Sequence, residues 1–200
     1  GVAAIAPSPL ALLLDDTVSL SEGMTVVPFS LDATQPAAYS LWKGSDKAPL
    51  VVFDPEGTGD VKSAAQLIGQ YAFGGKTNKV ADYKSPALRT PWENGYQALA
   101  LLDRNHDGKV SGKELKGLAL WSDKDRDGKV QRGEMQSLKA AGITVLYYKW
   151  DSRDAKTGDL TASVGYERVV KGKTIRGRSV DWFSPTFATK EDAVRSLAAL

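Results

Sequence analysis

Asp103-Arg104-Asn105-His106-Asp107-Gly108-Lys109-Val110-Ser111-Gly112-Lys113-Glu114 places oxygen-bearing side chains at its first, third and fifth positions and a glutamate at its twelfth. Asp103, Asn105 and Asp107 offer side-chain oxygens, Lys109 offers a backbone carbonyl at position seven, and Glu114 can bind through both carboxylate oxygens. Gly108 at position six permits the sharp turn, and Ser111 at position nine can hold a bridging water. The rhythm repeats at Asp123, Asp125, Asp127, Gly128, Lys129, Val130, Gln131 and Glu134.

Both stretches fit the EF-hand loop at every defining position, and two complete matches outweigh a solvated Asp-rich turn. They predict two calcium ions, held by Asp103, Asn105, Asp107, Lys109 and Glu114 and by Asp123, Asp125, Asp127, Lys129 and Glu134. Magnesium fits less well, because the ligand set suits six to eight flexible oxygens. His106 reads as a solvated loop side chain, and Val110 and Val130 at position eight suit a short strand contact between paired loops. Eight residues separate Glu114 from Asp123, too few for two helices, so Leu115 to Ser122 is expected to form one short shared helix. That spacing, with only two methionines, argues against a calmodulin-like groove.

Charge dilutes both loops. Asp103, Asp107 and Glu114 face Arg104, Lys109 and Lys113, while the four acids of the second loop face Lys124, Arg126, Lys129 and Arg132. The expected affinity is near ~10⁻⁴ M, which suits an extracellular or periplasmic setting.

Outward from the loops, the chain reads as an α+β fold in one calcium-binding domain, 1–200. Residues 1–60 are β-rich, with short apolar runs at Leu10 to Leu14, Thr25 to Phe29, Tyr39 to Trp42 and Leu50 to Phe53. Residues 61–142 read as a helical part, a central EF-hand pair with helical faces at Ala64 to Tyr71, Tyr96 to Leu102, Leu115 to Ala119 and Met135 to Ala141. Residues 74–90 read as a polar surface loop. Residues 143–200 read as a strand from Ile143, a β-hairpin around Lys171-Gly172-Lys173, and a terminal helix capped by Thr189.

Composition removes several chemistries. The 200 residues hold no Cys and one His, which excludes disulfides, thiolate metal sites and cysteine nucleophiles and leaves no His pair for zinc. With 26 basic against 24 acidic residues, nucleic acid is not an expected partner. No stretch approaches the ~20 apolar residues of a membrane span. Leu12-Leu13-Leu14 lacks preceding basic residues and makes a poor signal peptide. Arg168, Lys171, Lys173, Arg176 and Arg178 cluster on the hairpin, reading first as a charge-protected sheet edge and second as a docking surface for a protein or cell-surface polyanion partner. The five tryptophans follow no period and read as packing residues.

A third stretch, Asp54-Pro55-Glu56-Gly57-Thr58-Gly59-Asp60-Val61, keeps the loop rhythm, but Ala65 stands at position twelve and Gln66 cannot supply a bidentate carboxylate. With it, Pro9-Leu-Ala-Leu12, Leu67-Ile-Gly69, Asn94-Gly-Tyr-Gln-Ala-Leu-Ala-Leu-Leu-Asp103, Leu138-Lys-Ala-Ala-Gly-Ile143 and Ser179-Val-Asp-Trp-Phe183 follow in order. These segments resemble the EF-hand-containing self-processing module of iron-regulated RTX proteins and related segments of secreted RTX adhesins and toxins. The resemblance implies a calcium-folded module that cuts an Asp-Pro bond at its N-terminal edge and can transfer the Asp to a lysine amine. Here the matching bond is Ser8-Pro9, and a hydroxyl cannot form the required anhydride; the Asp-rich loop after Leu12 has also lost its glycines. The expectation is therefore a non-enzymatic, calcium-stabilised module of a secreted bacterial protein serving structure or protein interaction. Autocatalytic processing is the alternative.

Overall fold

The computed structural model describes residues 6–83 and 87–200; residues 84–86 of the expected 74–90 surface loop lie outside the described residues. The strands are β1 (Leu10–Leu12), β2 (Thr25–Val27), β3 (Tyr39–Trp42), β4 (Leu50–Phe53), β5 (Lys109–Ser111), β6 (Leu118–Trp121), β7 (Met135–Ser137), β8 (Ile143–Tyr147), β9 (Ser152–Arg153), β10 (Leu160–Val170), β11 (Lys173–Asp181) and β12 (Thr186–Phe187). The helices are α1 (Gly95–Ala100) and α2 (Lys190–Ala198), joined by single 3₁₀ turns elsewhere. An antiparallel sheet in the order β5-β8-β10-β11-β1-β4-β6-β7, with β9 beside β10, curls into a half-barrel. A second sheet, β12-β3-β2, carries α2 against it.

The expected α+β fold with a central helical EF-hand pair does not form. Among the described residues there are two α-helices, and only α2 exceeds six residues. The shared helix predicted over Leu115 to Ser122 is mostly β6: a 3₁₀ turn over Gly112–Leu115 ends at Leu115, and the strand follows from Leu118. The helical face predicted at Met135 to Ala141 is β7 followed by a turn. Residues 61–142 are thus mostly strand, turn and loop, with α1 the exception.

Burial explains the exchange of helix for strand. Side chains alternate across a sheet, and this sheet is covered on both faces by apolar cores. Leu10, Leu12, Val51, Phe53, Leu118 and Leu120 enter one core with Tyr96 and Leu99 of α1. Ala11, Leu50, Val52, Ala119 and Trp121 enter the other with Trp42 and Trp182. A strand covered on both sides reads as an unbroken apolar run, the pattern of Leu118-Ala119-Leu120-Trp121.

The hairpin and terminal helix form where the sequence places them. Lys171 and Gly172 both have positive φ (50° and 76°) between the paired Val170 and Lys173, the two-residue turn whose twist matches the strands. The register shifts between Ala162 and Tyr166, bending β10 so that one half pairs with β8 and the other with β9. Thr189 caps α2, its Oγ1 accepting from Asp192 N at 3.2 Å.

A buried carboxylate ties three distant segments together. Asp181, at the end of β11, accepts Gly95 N at 2.7 Å and the Ser8 hydroxyl at 3.0 Å on one oxygen; its other oxygen has no partner. Burial pushes its pKa up to about 7 against these two bonds, with nearby Asp159 adding to the rise. The native state therefore holds a proton that the unfolded chain releases near the ordinary value of 3.8. Stability from this group is fully present below that value and is lost as pH rises through about 7. In saturating calcium, urea unfolding of wild type should show this decline between pH 5 and 8, and Asp181→Asn should lack it. Identical pH slopes would remove Asp181 from the account.

Candidate metal centre

Two loops repeat one backbone plan. At position four, His106 and Arg126 have φ of 56° and 57°; at position six, Gly108 and Gly128 have 89° and 71°. This turn directs the amides of positions five and six at the first aspartate. Asp103 accepts Asp107 N at 3.2 Å and Gly108 N at 2.9 Å. Asp123 accepts Asp127 N at 3.4 Å and Gly128 N at 2.8 Å.

The twelfth residue folds back in both loops. Glu114 accepts Arg104 N at 2.6 Å on one oxygen and Ser111 N at 3.2 Å on the other. Glu134 accepts Lys124 N at 2.8 Å and Gln131 N at 2.7 Å in the same manner. Carboxylate oxygens of Asp103, Asp107 and Glu114 consequently lie within 4.8 Å of one another, as do those of Asp123, Asp125 and Glu134. Asn105 Oδ1 accepts Asp107 N at 3.3 Å beside the first group. Asp127 is not one of that triad but touches the Asp123 and Asp125 carboxylates, and it receives Lys129 N at 2.9 Å and the Gln131 amide. Lys109 lies in β5, and Lys129 follows Gly128 in the second loop. Donor sets made only of oxygen suit a hard cation.

The surroundings of the loops differ. In the first, the Tyr148 hydroxyl donates to Asp103 at 2.6 Å, and this bond leads the lowering of the Asp103 pKa while raising that of Tyr148 to about 12. In the second, Asp123 is fully buried and Glu134 is 5% exposed. Burial pushes the Asp123 pKa up to about 7, and the charges of Glu134 and Asp127 add to it. Trp42 Nε1 donates to Asp123 at 2.8 Å, Thr25 Oγ1 donates to Arg126 O at 2.8 Å, and the Arg126 guanidinium reaches Gly23 O. The second loop is clasped by the small sheet; the first stands largely in solvent.

The third loop keeps the turn without the acidic lid. Asp54 accepts Thr58 N at 3.0 Å and Gly59 N at 2.9 Å, repeating the position-five and position-six bonds. Gln66 Oε1 accepts Lys62 N at 2.7 Å, the bond that glutamate makes to position nine in the other loops. Its Nε2 donates to Asp60 O at 3.1 Å, the position-seven carbonyl that a cation would otherwise attract. An amide group thus closes this loop with a donor where the other two present carboxylate, and Asp54 belongs to neither acidic group.

Sequence reasoning missed Trp42, Tyr148 and Thr25 as contributors to the loops. The one available signal was chemical: a buried indole N–H seeks an acceptor. No curated protein matches the chain. The family model of the SPM domain matches residues 10–182, from β1 to the residue after β11 and including both acidic loops. That span is most of the sequence, and the chain belongs to the SPM domain family.

Proposed function

We propose that this chain is a calcium-binding, calcium-stabilised, non-enzymatic module of a secreted bacterial protein, serving structure or protein interaction. The repeated lid carries the reading: in both loops a position-twelve glutamate closes over a buried position-one aspartate, bringing three carboxylates together. Such clusters repel unless a cation joins them, and flexible oxygen ligands favour calcium. The resemblance to RTX self-processing modules and the extracellular or periplasmic setting belong to the same proposal. Cleavage is the weaker reading, because Ser8 stands where the reaction needs a carboxylate.

Calorimetric titration with calcium should find two ions per chain with dissociation constants near ~10⁻⁴ M. Glu114→Gln and Glu134→Gln should each leave one site, whereas Lys109→Ala, which retains its carbonyl, should leave two. A wild-type chain that takes up no calcium would end this reading. No helix of the described residues is long and apolar enough to cross a membrane.

A further inference from the structure

We propose that Trp42 is a positioning residue of the second loop: its indole N–H, reaching across from the small sheet, holds Asp123 in its ligating orientation, so that β3 is part of that metal site. The inference rests on the calcium reading above and adds to it a group 81 positions away in sequence.

Asp123 Oδ2 receives both Trp42 Nε1 and Gly128 N at 2.8 Å, which fixes that oxygen between a donor of the small sheet and a donor of the loop itself. Oδ1 accepts only a long backbone bond, from Asp127 N at 3.4 Å, and the Asp125 and Asp127 carboxylates stand close to the Asp123 carboxyl. One oxygen is held by two good donors, and the other is left for a cation shared with Asp125 and Glu134. Outer-shell donors act this way on ligating carboxylates, setting their orientation and basicity.

The indole is itself immobilised. Trp42 is wholly buried, with ring centroids 5.3 Å from Phe29, 5.4 Å from Trp121 and 5.6 Å from Trp182. Trp121 and Trp182 occupy the same cluster with Nε1 atoms that have no partner. Of the three indoles packed together, Trp42 alone makes this bond, and its acceptor is the first residue of a metal loop. In the first loop the corresponding bond to Asp103 Oδ2 comes from Tyr148, a partly exposed residue just beyond β8. Each loop therefore has one outside donor on the same oxygen of its first aspartate, supplied by unrelated parts of the fold.

The test uses the full chain and calcium alone. In a Glu114→Gln background, which isolates the second site, Trp42→Phe should weaken calcium binding ~10–100-fold while retaining a packed ring. In a Glu134→Gln background, which isolates the first site, Trp42→Phe should change nothing and Tyr148→Phe should produce the weakening. Unchanged second-site affinity in folded Trp42→Phe would overturn the proposal. Wild type that binds no calcium would overturn the metal reading itself, a separate result. Should Trp42→Phe fail to fold, the Trp42 indole N–H resonance of otherwise unmodified Glu114→Gln protein decides: a shift that saturates with the ion supports the proposal, and a resonance that ignores it overturns it.

Discussion

Moving the wild-type chain from ~10 mM calcium into chelator should lower its melting temperature by roughly 10–20 °C, following from ~2.7 kcal/mol per site at a calcium concentration a hundredfold above the dissociation constant, doubled for two independent sites. An unfolded chain has no preformed cluster, so the whole binding energy counts as folding energy. Glu134→Gln should lose about half of the shift, because Glu134 spans positions two and nine of its loop with both oxygens and an amide can offer the cation only one. Glu114→Gln should behave alike in sign, with the exposed first loop depending less on neighbouring structure. Lys109→Ala should melt with wild type in both buffers, since position seven contributes its carbonyl. Equal melting temperatures for wild type with and without calcium would sink the structural role of the ion. A Lys109→Ala loss as large as that of Glu134→Gln would sink the assignment of ligands.

Trp182→Ala should cost about 3–5 kcal/mol, the range for emptying a large buried aromatic site. Trp182 is wholly buried after β11, edge-on to Trp42 with their planes at 84°, and its own backbone N donates to Pro9 O at 3.2 Å. Removing the ring opens a cavity between the sheets that the rigid neighbours Trp42 and Val180 cannot fill. Trp182→Phe should cost far less, about 1 kcal/mol, because it also deletes an indole N–H that has no acceptor. Urea unfolding of both variants in saturating calcium measures the difference. Equal costs would show that the unpartnered N–H is irrelevant to the balance.

How much of this molecule could be read from its residues depends on the range of the interaction concerned. The acidic loops were legible because glycine, aspartate and glutamate must occur at fixed short spacings; the structure gathers Asp103, Asp107 and Glu114, and Asp123, Asp125 and Glu134. The hairpin turn and the Thr189 cap were legible for the same local reason. Leu118 to Trp121 was misread because a strand buried on both faces carries no alternation, and β7 was misread because Met135, Leu138 and Ala141 fall at helical intervals by coincidence of a short strand with a turn. Gly142, at φ 76°, closes that turn. Trp42 and Tyr148 were invisible as loop partners because 81 and 45 positions separate them from their aspartates. Asp127, a ligand by the motif, contacts Asp123 and Asp125 and also receives Lys129 N and Gln131.

The two acidic loops also stand at the two ends of the large sheet. Positions seven to nine of the first are β5, and β7 begins directly after Glu134 of the second. Each outermost strand is therefore fastened by one loop, and a loosened loop would release it and bare its neighbour. Those neighbours are Ile143–Tyr147 and Leu118–Trp121, short uncharged runs rich in residues that favour strands. Unpaired strands of that composition recruit other chains. Calcium would then govern colloidal behaviour as well as folding: a chelated solution should turn turbid through edge-to-edge association, and one that stays clear would show that both rims hold without the ion.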